Sequence, residues 1–443
     1  MEPQQYKPKL GWQDSSAWGL CLIIAYCVIA IIPVLIIKLT SPPVDEPLMV
    51  NTALMIALTG FNLLCLQIFL AGRFRNINRP FGIDMVMKFH KTMAITALVL
   101  LLSHPILIAL HHKSWTLFSF STSWKVNLGK AALLILLLGI LFALFFRKLK
   151  IDYNVWHFLH KSMIFIIIFA FFHGIVIGPH IKSSFAIRVF WYAIFFSAIA
   201  VFCYRNFIVP FIRKKYIVDK VSQETHNTYT LSLKPEKNIT INRNPGQFMF
   251  LKLIRPGQKP EIHPFTISAS PLQDGTLEAT IKESGNFTNT INKTKLGDKA
   301  RIEAPFGRFS YIYHKAEKIL FIAGGVGITP ALSMIRCLRE TGDKRPVTLL
   351  YANNQEKDII CREELESLPE NFKTVFILKD PSEDWNGEKG YINQHIIDKH
   401  ASEIMRDAHV YLCGPPPMMD AVISCLHQLD IDNSRIHYEM FTL

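Results

Sequence analysis

The run KFHKTMAITALVLLLSHPI carries His90 near its start and His104 near its end, inside a stretch apolar enough to cross a bilayer. Ionisable side chains are costly in a membrane, so two of them in one span point to function before packing. Fourteen residues of α-helix rise about 21 Å and return to within about 40° of the starting azimuth. The two imidazoles therefore share one helix face near opposite leaflets, a disposition suited to two stacked haems. One helix gives each iron a single ligand, so a second helix has to carry a matching pair. WHFLHKSMIFIIIFAFFHG carries it, as His160 and His173, thirteen residues apart. A lone intramembrane histidine is ordinarily a hydrogen-bonded packing residue; two matched pairs argue for metal ligation.

The rest of the first half agrees with a membrane domain. Half of the 443 residues are hydrophobic, and six apolar runs cover roughly 17–39, 48–71, 85–110, 127–146, 154–177 and 185–205. Each approaches the ~20 residues that span a hydrocarbon core. The net charge of +13 does not indicate nucleic acid, because many basic residues cluster at span ends. Arg73, Arg75 and Arg79 follow the second run, Arg147, Lys148 and Lys150 the fourth, and Arg205, Arg213, Lys214 and Lys215 the sixth, whereas the first link has Asp45 and Glu46. Positive loops stay inside, so both termini are expected in the cytoplasm, at the plasma membrane. His90 and His160 then pair near the cytoplasmic face, and His104 and His173 near the outer one. None of the eight cysteines forms a C-x-x-C pair, so we expect no zinc ribbon, iron–sulfur cluster or covalent haem, and axial histidines alone as haem ligands.

Thirteen residues turn an ideal helix to about 140° from its starting azimuth, so a straight fifth span cannot present His160 and His173 on one face. The expectation is a bend or a change of winding between them; His157 is the alternative inner ligand, with no better azimuth. Pro105 is expected to kink the third span.

After Pro210 charge becomes frequent and apolar runs shorten. YIVDKV, TYTLSL, QFMFLKL, LEATIK and KARIEA read as strands of a small antiparallel barrel. From residue 316, KILFIAGG, ITPALSMIRCLRE and PVTLLYANN read as strand, helix and strand of an α/β nucleotide domain. The expected fold is thus an α-helical bundle of six membrane spans plus an antiparallel β-barrel and an α/β domain, over 1–212, 213–314 and 315–443. Gly324, Gly325, Gly327 and Thr329 form a glycine loop at a strand-to-helix junction, where backbone N–H groups can approach a pyrophosphate. Pro330 replaces the third glycine of the usual dinucleotide pattern. Cys413, Gly414 and Pro415 end a later strand, where a small thiol can flank a nicotinamide. His263-Pro264-Phe265-Thr266-Ile267-Ser268 offers a hydroxyl and an aromatic ring to a flavin, and Lys282, Gly285 and Thr288 suit a diphosphate.

In this order, HPFTIS, IKESGNFT, APFGRFS, AGGVGITP and CGPPPM resemble the ferredoxin–NADP reductase-like dehydrogenase module. Preceded by six spans with paired histidines, the chain resembles the ferric reductase and NADPH oxidase superfamily over about residues 15–443. The resemblance implies that Thr266 bonds the flavin edge, that His263 and Phe265 line FAD, and that Lys282, Gly285 and Thr288 hold its diphosphate. It implies that the glycine loop cradles the phosphates of NAD(P)H, that Cys413 and Gly414 flank the nicotinamide, and that Phe441 covers the flavin. It further implies two b-type haems and an external acceptor, ferric iron or oxygen. Oxidases of this superfamily place a histidine where Ile108 stands here, and an aromatic between the haems where Ile166 stands. These departures favour ferric iron. A membrane-tethered flavin reductase with a cytosolic acceptor is the reading from another class. Asn353 and Asn354 stand where an NADPH-selecting arginine is usual, with Lys357 and Arg362 nearby, which leaves the choice of nucleotide open.

Overall fold

The computed structural model describes residues 6, 10–40, 46–119, 121–146, 148, 149, 151, 153–237, 240–273 and 275–440. Asp45, Arg147, Lys150 and Phe441 lie outside the described residues. The chain divides into two compact units, one of Gly11–Ile212 and the other of Arg213–Leu443 with the first ten residues.

The first unit is helical. Its six candidate spans are Ser16–Thr40, Leu48–Ala71, Ile83–His111, Trp124–Phe145, Val155–Ile177 and Phe185–Ile212, each long and apolar enough to cross a membrane. The second span supplies much of the interior, with Phe61, Leu64 and Cys65 buried, and packs along the third. Aromatic stacking closes the bundle: Phe61 lies 4.0 Å from Trp191, and Phe171 lies 3.7 Å from Phe195, centroid to centroid. Many remaining apolar side chains, among them Leu20, Val99, Leu138 and Phe172, face outward. Such a surface is costly in water and ordinary in lipid. The third span runs through Pro105 as one helix.

The fifth span does change winding. It consists of two helices, Tyr153–Ser162 and Ile164–Ile177, which meet at Met163. Two i→i−3 hydrogen bonds mark the junction, from Met163 N–H to His160 and from Ile166 N–H to Met163. Residues wound at three per turn rotate about 20° further and rise about 0.5 Å more than α-helical ones. Both changes act in the required sense: the azimuth of His173 moves toward that of His160, and the rise of thirteen residues lengthens toward that of fourteen.

The second unit holds two sheets. β1 (Lys214–Thr225), β2 (Thr228–Pro235), β3 (Phe248–Ile254), β4 (Ile262–Thr266), β5 (Leu277–Lys282) and β6 (Lys299–Phe306) form a six-stranded antiparallel sheet in the order β4-β3-β6-β1-β2-β5. Its two edges meet where Ser268 N–H donates to Glu278 O at 2.9 Å. The interior is apolar, with Leu231, Met249, Leu251 and Leu277 fully buried. β7 (Lys318–Gly324), β8 (Val347–Asn353), β9 (Phe372–Leu378), β10 (Glu388–Lys389), β11 (Ala408–Cys413) and β12 (Ile436–Glu439) form a parallel sheet ordered β10-β9-β8-β7-β11-β12. The order reverses between β7 and β11, and in open parallel sheets ligands bind beyond the strand ends at such a switch point. Helix Thr329–Glu340 ties the two sheets together, since Arg336 donates to Ser268 O at 3.0 Å and pairs with Glu278 and Glu364.

Candidate functional site

In the helical unit, the rings of His90 and His160 lie with centroids 6.2 Å apart and planes inclined by 66°. Two imidazoles each bonded at about 2 Å to one metal ion hold their ring centroids roughly 6 Å apart, so this pair fits a bis-histidine iron. The ring of His160 stacks on Trp156, at 5.2 Å and 17°. The other two histidines are oriented from behind. His104 Nδ1 lies 3.0 Å from Ala53 O, and His173 Nδ1 lies 2.9 Å from Lys125 O. A carbonyl oxygen only accepts, so each Nδ1 carries the proton and each Nε2 keeps its lone pair for a ligand. Metal-bound histidines are characteristically held this way. The His173 ring also lies over Gly129, where an added Cβ would come within 2.6 Å of it. His157 stacks on its neighbour Trp156, at 6.4 Å and 27°. Ile166 is buried in the bundle, whereas Phe165 is exposed and stacks with Phe169 at 6.3 Å.

In the second unit, the glycine loop and the Cys413 turn, far apart in sequence, meet at the switch point. β7 pairs with β11 so that Ala323 lies opposite Cys413. A Cβ on Gly327 would lie 2.5 Å from Cys413 O and 2.9 Å from Gly414 Cα, and one on Gly324 would lie 2.4 Å from Met418 Sδ and 3.0 Å from Pro415 Cδ. Only glycine permits this approach. Thr329 is buried and its hydroxyl donates to Val326 O at 3.1 Å, bracing the loop where the helix starts. Burial pushes the Cys413 thiol well above its ordinary range, and Glu439 beside it acts in the same direction.

The segment expected to meet the flavin forms β4. Its alternation sets Thr266 opposite Phe248 and places His263 and Phe265 on the other side. Thr266 is 5% exposed, and its Oγ1 has no hydrogen-bond partner among the described residues. A buried hydroxyl without a partner is costly, which fits a cofactor atom as its partner. His263 stacks on Phe287 at 4.3 Å and is hydrogen-bonded to Glu261 at 3.0 Å. Pro264 pairs with Phe250, and Ile267 and Ser268 point into the barrel, where the Ser268 hydroxyl meets Thr280 at 3.1 Å. Lys282 ends β5. The Gly285 and Ser284 N–H groups both donate to Thr288 Oγ1, at 2.9 and 3.0 Å, so this turn is already closed on itself.

Two residues of this site were not anticipated. Tyr351, fully buried at the end of β8, donates to Gly325 O at 3.1 Å and accepts from Ile360 N–H at 3.3 Å, fixing the glycine loop from below. Glu439, buried at the end of β12, is in register with Cys413 and lies 3.3 Å from a Cβ placed on Gly307. The aromatic in LLYANN was the one available signal for Tyr351, and nothing local in YEMF marks Glu439 as part of the site.

Three family descriptions match in series: a ferric reductase like transmembrane component over 56–171, an FAD-binding domain over 215–326 and an oxidoreductase NAD-binding domain over 321–423. The chain belongs to the ferric reductase and NADPH oxidase superfamily. It combines six helices long and apolar enough to cross a membrane with an FAD-binding domain and an oxidoreductase NAD-binding domain. It is similar to the stachydrine N-demethylase reductase subunit of Rhizobium meliloti, at 33% identity over 49% of this chain and 64% of that protein, so it spans less than two thirds of that relative. It is also similar to NADH-cytochrome b5 reductase 1 of Lodderomyces elongisporus, at 31% identity over 52% of this chain and 78% of that protein. The same enzyme from Candida glabrata matches at 30% identity over 55% of this chain and 90% of that protein.

Proposed function

We propose that this protein is a transmembrane flavocytochrome that carries electrons from cytoplasmic NADH to an external acceptor, with ferric iron as that acceptor. The observation that carries the reading is the matched set of intramembrane histidines, with His90 and His160 6.2 Å apart at an edge-on angle and His104 and His173 each fixed by a backbone carbonyl. When bound, the flavin converts hydride chemistry into single electrons and the haems relay them across the membrane. The chain's own residues supply placement. Gly324, Gly325 and Gly327 let the nucleotide approach the strand ends, Cys413 and Glu439 line the edge where a nicotinamide would sit, and Thr266 offers its hydroxyl to the flavin. His90 with His160 and His104 with His173 would hold the haems at two depths. The basic links support a cytoplasmic dehydrogenase unit and cytoplasmic termini.

NADH is favoured over NADPH because Arg362 is committed to Glu356 and Glu366, and Asn353 ends β8. The external acceptor follows from Ile108, which leaves no second imidazole one turn beyond His104 to meet oxygen. Reduced-minus-oxidised spectra of the purified protein test the class: b-type haem bands are expected, and their absence would leave a membrane-tethered flavin reductase. In membranes, NADH should reduce a ferric chelate faster than it yields superoxide-dismutase-sensitive products; the reverse order would make the protein an oxidase.

A further inference from the structure

The end of the parallel sheet opposite the glycine loop carries a cluster that the electron path does not use. His409 is the second residue of β11 and His437 the second of β12. Side chains alternate along a strand, so His409 and Tyr411 share a face, and His437, in register with Tyr411, joins them. His314, leaving the turn Tyr311–Tyr313 ahead of β7, completes the group. One ligating nitrogen from each of the three lies within 4.8 Å of the other two. His409 Nδ1 is 2.8 Å from His437 Nε2, and the His314 ring stacks on His437 at 3.6 Å. All three are half-buried, which leaves a path for an ion.

The donor set is chemically narrow. It contains three imidazoles, and the metal-ligating group found among the described residues holds neither carboxylate nor thiolate. Neutral imidazole is the form that binds metal. Three imidazoles with an open fourth position suit zinc, whose ligand nitrogens in a tetrahedron sit about 3.3 Å apart for bonds of about 2.0 Å. The nitrogens of His409 and His437 now stand 2.8 Å apart and the rings of His314 and His437 are stacked, so an ion would require these side chains to rotate.

We propose that His314, His409 and His437 form a zinc site of the nucleotide domain. The ion would pin the edge strand β12, and with it Glu439, to β11 and to the segment that leads into β7. The test uses the full-length holoenzyme, stripped with chelator, re-dialysed against zinc and measured for zinc per chain. About one zinc per chain is expected, with a zinc-edge X-ray absorption spectrum of three imidazole ligands. His409→Ala and His437→Ala should weaken binding by at least the ~10–100-fold that loss of an outer-shell partner costs, while exposed His395→Ala should not. No stoichiometric zinc, or equal zinc in all variants, overturns the proposal. Where an alanine variant loses its FAD, His437→Cys decides: one sulfur ligand at the zinc supports the site, and ligation without sulfur overturns it.

Discussion

The membrane unit and the dehydrogenase unit build their sites from different parts of the chain. In the first, single side chains on helices carry the site, and the backbone serves only to orient them, as Ala53 and Lys125 do for His104 and His173. In the second, the decisive contact is backbone against backbone, with Gly327 packed onto Cys413 and Gly414. The difference teaches where each unit is vulnerable. The membrane site fails when a ligand is removed, and the nucleotide site fails when an atom is added.

The largest effect is expected from His160→Leu, which removes the inner pair's second ligand and leaves an apolar side chain that lipid tolerates. Flavin reduction by NADH should persist, while haem reduction measured by stopped-flow absorbance falls to background. His173→Leu should separate the two haems instead: the inner one is still reduced, and transfer to an impermeant external acceptor is lost. If His173→Leu blocked all haem reduction while His160→Leu spared it, the assigned orientation would be reversed.

Gly327→Val tests the other half of the comparison. A Cβ 2.5 Å from Cys413 O forces the two strand ends apart, and nucleotide affinity should fall on the order of 100-fold, about 3 kcal/mol, with FAD and haem content kept. Unchanged affinity by calorimetry would mean that the two loops do not act together. The smallest effect belongs to Thr266→Ala, which removes one hydroxyl from the proposed flavin contact. It should weaken FAD retention by about 1 kcal/mol, roughly fivefold, in a dialysis assay that leaves haem absorbance unchanged.

The same contrast explains what could be read in the sequence. Helical spans and the histidine ladder were legible because a fixed rise and rotation per residue turn sequence spacing into position. The strands and the glycine loop were legible from alternation and turn chemistry. Glu439 and the histidines at 314, 409 and 437 were not, because β12 finds β11 through sheet order and nothing local in YEMF or AHVYLC records that pairing. Tyr351 looked like one more apolar strand residue, and its hydroxyl gains meaning only once Gly325 lies above it. Phe441 lies beyond the described residues, and the flavin cover expected from it stays a proposal.

The junction at Met163 bears on how such proteins can diverge. The two histidine-bearing spans count fourteen residues and thirteen between their histidines, and the fifth meets the difference with a tighter, longer turn. What the two spans must share is a length measured across the bilayer, for which residue number is only a stand-in. A relative could lose or gain a residue at this joint and keep both pairs of ligands level, provided the local winding absorbed it.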